Sequence, residues 1–164
     1  MEYQDSVPDS VLRVSALLQG LGHDKQVVML ASTGKTSAEA AAMLGCQVAE
    51  IAKSIVFRRL SDDAAVMVVA SGADRIDESK VAAIAGPVGK ANARFVKERI
   101  GYAIGGVCPI GHATKSLILI DQQLFSFGSV WAAAGHPHAV FNLTPAQLQA
   151  MTGAPVVDVR QLST

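Results

Sequence analysis

Three places in this sequence combine residue type and spacing in a way that could do chemistry: Lys53, the loop Gly105–His112, and Gly135-His136-Pro137-His138. Lys53 lies in an apolar run, Ala52–Arg58, that reads as a strand. Alternation puts Lys53 with Ile55 and Phe57 on one face, while Ser54, Val56 and Arg58 point the other way. Such a lysine either snorkels to an edge, the commoner case, or lines a pocket that needs a positive charge. The loop Gly105-Gly106-Val107-Cys108-Pro109-Ile110-Gly111-His112 is too rich in glycine and proline for a regular element. It is either a tight connection or a cradle whose N–H groups converge on a carbonyl oxygen or oxyanion. The paired histidines, His136 and His138, follow a glycine and flank a proline. They are either ordinary surface histidines or a loop presenting imidazole to a cleft.

Two other chemistries are weaker. Cys108, His112, His136 and His138 have workable ligand spacings but match no established zinc signature, so no metal site is expected. Ser32-Thr33-Gly34-Lys35-Thr36 imitates a phosphate-binding loop, but the pattern's first glycine would fall at Met29. Without that glycine the backbone loses the freedom to wrap phosphates, and nucleotide hydrolysis is excluded.

The elements that must position these groups are legible. At 164 residues, half of them apolar and 17% charged, the chain reads as one domain spanning 1–164. Its apolar runs are short for a membrane span. Glu2 and Asp5 stand where a secretion signal would be basic, and two cysteines make no disulfide framework, so a cytoplasmic protein is expected. Helical spacing predicts helices over Pro8–Gly20, Thr36–Leu44, Asp77–Ala85 and Lys90–Arg99. A last one runs from the Thr144 cap to the Gly153 stop. Strands are expected at Gln26–Ala31, Ala52–Arg58, Ala64–Ala70, Leu117–Asp121 and Ala139–Asn142. The mixture without strict alternation predicts an α+β, mixed-sheet domain rather than a doubly wound one.

Taken in order, several segments resemble the YbaK/prolyl-tRNA-synthetase-associated editing family. They are Thr36–Ala41 through Gly45, Ile51–Phe57, Gly101–Ile104 leading into the glycine-proline loop, Val130–Gly135, and Asn142–Pro145 with Leu148. The resemblance implies a curved central mixed sheet flanked by helices. It also implies hydrolysis of the ester joining an amino acid to the terminal adenosine of tRNA. The family's pocket lysine matches Lys53, its G-x-x-x-P loop matches Gly105–Pro109, and its histidine matches His136. Lys53, Gly105, Gly106 and His136 are therefore expected to carry catalysis. Val107, Cys108, Pro109, Gly111, His112, Gly135 and His138 are expected to bind substrate around them. Cys108 stands where many similar sequences have proline.

An activated ester needs orientation, a polarised carbonyl and a placed water more than a strong nucleophile. The sequence contains no convincing Ser-His-Asp arrangement, and the neighbouring ribose hydroxyl could help activate water. No cofactor is expected. The expected activity is that of a free-standing, metal-independent aminoacyl-tRNA deacylase. Alternatives are a catalytically silent tRNA- or synthetase-binding module of the same fold, or a zinc-dependent hydrolase. The expected partners are the acceptor end of mischarged tRNA and an aminoacyl-tRNA synthetase, with neither membrane nor DNA. Net charge is zero, so any RNA contact should be small or lean on a partner for affinity. Read as a helix, Lys90–Arg99 places Lys90, Arg94 and Lys97 on one face. That face is either merely solvated or the one that meets acceptor-stem phosphates.

Overall fold

The computed structural model describes residues 7–31 and 36–162. Residues 32–35, most of the phosphate-loop imitation, lie outside the described residues. Among these residues eight strands form one mixed sheet: β1 Val28–Met29, β2 Ile51–Arg59, β3 Ala65–Ser71, β4 Val88–Lys90, β5 Leu117–Asp121, β6 Val130–Ala133, β7 Ala139–Leu143 and β8 Val156–Val157. Their order is β1-β7-β6-β2-β3-β5-β8, with β4 pairing to β2 off this path. The β6–β2, β3–β5 and β5–β8 pairs are parallel and the others antiparallel. Among the described residues five α-helices flank the sheet: α1 Asp9–Gly20, α2 Ser37–Leu44, α3 Glu78–Ala85, α4 Ala93–Ile100 and α5 Pro145–Thr152.

Local chemistry sets these boundaries. Thr36 caps α2 by accepting from the Glu39 amide, and Gly45 ends it in the left-handed region. Thr144 and Gln147 form a reciprocal capping box at α5, with Pro145 in the first turn. β3 is buried along its whole length, as its unbroken apolar run requires of a strand covered on both faces. Each of its large side chains contributes about 1.5–3 kcal/mol by leaving water.

The expected helix over Lys90–Arg99 is shorter than its charge pattern suggested. Lys90 belongs to β4, Asn92 caps the helix through Phe95 N–H, and α4 begins at Ala93. An asparagine that bonds the third amide ahead stops the helix from growing backward. Lys90, Arg94 and Lys97 therefore do not form one helical stripe.

The two faces of the sheet are covered differently. One carries the main core, where Val11, Val14 and Leu18 of α1, Val96 and Ile100 of α4, and Leu148 of α5 meet Ala52, Met67, Val69, Ala132 and Phe141. The other is covered by two separate patches. Val81 and Ala85 of α3 pack with Phe57, Val66, Val68 and Leu119. Ala40 and Ala41 of α2 pack with Ile51 and Val140. Lys53 shares this second face with Ile51 and Ile55, and so falls between the two patches.

Candidate active site

The sheet leaves a gap beside Lys53. β3 pairs with residues 52–58 of β2, but on the other edge β6 pairs with Ile51 and Ala52 and β4 with Phe57, Arg58 and Arg59. Among the described residues no strand pairs with 53–56 on that edge. A cleft of about 290 Å³ opens there. Lys53, Ser54 and Ile55 all line it, although alternation puts Ser54 on the opposite face of the strand. The remaining walls include Trp131 from β6, Gly105 and Val107 from the loop after α4, and His136.

Lys53 is half-buried, and its Nζ donates to the main-chain carbonyl of Asp74. Burial pushes the ammonium below the usual lysine value; the Asp74 carboxylate opposes this and the Arg75 charge adds to it. A lysine held this way presents a poorly solvated positive charge to whatever enters the cleft.

The facing wall depends on close backbone approach. A Cβ on Gly106 would lie 2.6 Å from both Cα and N of His136, so any other residue would push the two segments apart. The Gly106 N–H is already engaged, donating to the Ala103 carbonyl at 3.0 Å. The amides of Gly105 and Val107 have no acceptor among the described residues. Any cradle for an oxyanion therefore rests on Gly105 and Val107, while Gly106 contributes closeness. Gly105 itself sits at φ 94°, which lets the chain turn here.

His136 has a defined tautomer. Its Nδ1 accepts the main-chain N–H of His138 at 3.1 Å, and a main-chain amide can only donate. The neutral ring thus carries its proton on Nε2 and acts as a donor there. Burial first, then the neighbouring His138, holds its pKa below the usual histidine value and favours the neutral ring.

Several expected substrate-binding residues sit elsewhere, for reasons the loop makes plain. Cys108 is fully buried in the main core, and desolvation pushes its thiol up to about 12. Pro109, Gly111 and His112 line a different, shallow groove with Thr152. The His112 ring is consumed by the loop: Nε2 bonds the Cys108 carbonyl at 2.8 Å and Nδ1 bonds Ser116 Oγ at 2.6 Å. Gly111, at φ 76°, makes room for Leu17 and the Tyr102 hydroxyl, which donates to the Ile110 carbonyl at 2.8 Å. Gly135 packs under α1, its carbonyl accepting from Ser10 Oγ at 2.7 Å. His138 supports His136 edge-on, with ring centroids 5.1 Å apart. These residues build the loops rather than line the cleft.

The basic residues are likewise dispersed. Arg94 is ion-paired with Glu98 at 2.9 Å, and α4 packs on the sheet face away from Lys53. For zinc, Cys108 is buried and His112 is committed to its loop. Among the described residues no three His, Cys, Asp or Glu side chains come together in a way that could hold a metal ion. No described helix is long and apolar enough to cross a membrane.

Ser54, Ile104 and Trp131 line the cleft without having been expected there. Strand alternation turns Ser54 away from Lys53, and only the gap in the pairing exposes both faces to one space. Trp131 lay inside a recognised segment, but nothing local marked its ring.

Comparison with known proteins agrees with this architecture. The aminoacyl-tRNA editing domain matches residues 31–151. The uncharacterized protein YwhH of Bacillus subtilis (strain 168) is 31% identical over 138 residues, covering 83% of this chain and 87% of that protein. A crystal structure of a candidate trans-editing enzyme for prolyl tRNA synthetase superposes with a TM-score of 0.89 at 38% identity, covering 96% of this chain and all of the other. The crystal structure of hypothetical protein APE2540 gives 0.84 at 30% identity, covering 91% and 99%. With the mixed sheet, the half-buried Lys53 and the glycine loop against His136 in place, the chain belongs to the aminoacyl-tRNA editing domain family.

Proposed function

We propose that this protein is a deacylase that acts in trans, hydrolysing the ester between an amino acid and the terminal adenosine of a mischarged tRNA. The observation that carries this reading is the cleft itself. A half-buried Lys53 faces a loop with two unengaged amides and a histidine fixed as an Nε2–H donor. No nucleophilic triad is needed, because the ester is already activated.

In this reading Lys53 holds oxygens of the terminal nucleotide, and the ester carbonyl lies toward the Gly105 and Val107 amides. Water attacks the carbonyl carbon, forming a new C–O bond, and the oxyanion is stabilised by those amides. The bond to the ribose oxygen then breaks. The proton lost by water passes to the leaving ribose oxygen by way of the neighbouring ribose hydroxyl. His136 Nε2–H orients the water or a substrate oxygen; with Nδ1 occupied, it does not act as the base. The apolar walls, Ile51, Ile55, Trp131 and Val140, suit a small uncharged amino acid. No step in this scheme requires a metal.

The test is to incubate the protein with a panel of tRNAs mischarged with alanine, cysteine, serine or threonine and to follow deacylation. Release of at least one amino acid well above the spontaneous rate is expected. Folded protein inert across the whole panel would overturn the reading in favour of a binding module.

A further inference from the structure

Ser54 is anomalous. Its Oγ is buried from solvent, yet it has no hydrogen-bond partner among the described residues. Buried hydroxyls are normally paired, and one that is not marks either strain or a place kept for a ligand. Ser54 lines the cleft, which favours the ligand.

The backbone around it points the same way. Gly72 donates to the Ile51 carbonyl and Arg59 donates to the Ala64 carbonyl, so the odd-numbered residues of β2 direct their main-chain groups toward β3. Even-numbered residues direct theirs to the opposite edge. At Ser54 that edge is the gap between β6 and β4. Its main-chain carbonyl therefore faces the gap beside its own N–H, and its unpaired hydroxyl is the side chain of the same residue, on the strand face opposite Lys53.

An aminoacyl ester brings a carbonyl, which the Gly105 and Val107 amides can take, and an α-amino group, which needs acceptors. Among the described residues no carboxylate lines the cleft. We propose that Ser54 binds the α-amino group of the aminoacyl moiety through its hydroxyl and main-chain carbonyl, and so selects esters bearing a free amine. This rests on the deacylase reading and adds a substrate-binding residue to it.

The test pairs a variant with a substrate change. Ser54→Ala and wild type are assayed on alanyl-adenosine ester and on propionyl-adenosine ester, which differ only in the amine. Ser54→Ala should lower kcat/KM on the alanyl ester by about three- to tenfold, the worth of one neutral hydrogen bond, and leave the propionyl ester unchanged. Its Tm should equal or exceed that of wild type, because an unpaired buried hydroxyl is removed. Binding of the non-hydrolysable 3′-amide analogue of alanyl-adenosine should weaken by a similar factor. An equal loss on both esters, unchanged binding of the amide, or a lowered Tm would each overturn the assignment. If wild type cleaves neither ester nor any mischarged tRNA, the deacylase reading itself fails, whereas cleavage with no difference between the variants defeats only the role of Ser54.

Discussion

Replacing Gly106 with alanine is the sharpest perturbation of the proposed site, because it changes no polar group. The added Cβ would lie 2.6 Å from Cα and N of His136 and 2.8 Å from its carbonyl carbon, all of them backbone atoms. Ordinary contact begins near 3.4 Å, so the two segments must separate by about 0.8 Å. Overpacking of this kind costs about 1–3 kcal/mol of stability, which a domain with a core this extensive should survive. The separation falls between the loop amides and His136, where a misplacement near 1 Å can cost about a hundredfold in rate. Gly106→Ala should therefore remain folded while kcat for deacylation drops by roughly ten- to a hundredfold. Gly128→Ala is the control, since a Cβ there meets nothing within 4 Å, and it should leave both Tm and rate unchanged. Thermal melting and single-turnover deacylation of the preferred mischarged tRNA read the two effects separately. A folded Gly106→Ala protein with wild-type kcat would show that the spacing between loop and histidine does not matter, and the proposed site would fall.

Four further outcomes are expected. Lys53→Ala should fold normally and lose at least about tenfold in kcat/KM, the loss of one charge-assisted contact; wild-type rates in the folded variant would make Lys53 structural. His136 has a lowered pKa, so the contribution of its neutral form is present above the unfolded value and lost as pH falls through the folded one. Protonation at Nδ1 would break the bond from the His138 N–H and release the ring, so activity should stay level from pH 8 to about 6.5 and decline only below that; an acid limb centred above about 6.5 would contradict a ring held neutral by burial. Activity should survive chelator; loss restored by zinc, with stoichiometric metal in the protein, would require a different mechanism. Changing Lys90, Arg94 and Lys97 together to Gln should weaken tRNA binding and flatten its salt dependence by no more than about two contacts at roughly 0.9 each, because Arg94 is already paired with Glu98. An unchanged salt slope would move the RNA contact to another surface.

Local chemistry made much of this protein legible without its structure. The caps at Thr36, Thr144 and Gly153, the buried run that became β3, and the strand at Leu117–Asp121 depend on neighbours in sequence. Lys53 stood out because a charge in an apolar strand is conspicuous, and the glycine-proline loop because no regular element can contain it. What the sequence could not supply was anything set by residues far apart. Whether Lys90 continued a helix depended on β4 pairing with β2, a contact of more than thirty positions in sequence. Which loop residues reached the cleft depended on Tyr102, Leu17 and Ser116 holding Gly111 and His112 away from it. Ser54 joined the cleft only because β6 and β4 stop short of each other along β2, leaving an edge open where alternation alone would have hidden it. Composition and periodicity report what each residue prefers, whereas strand pairing and loop packing decide which preferences meet in one place.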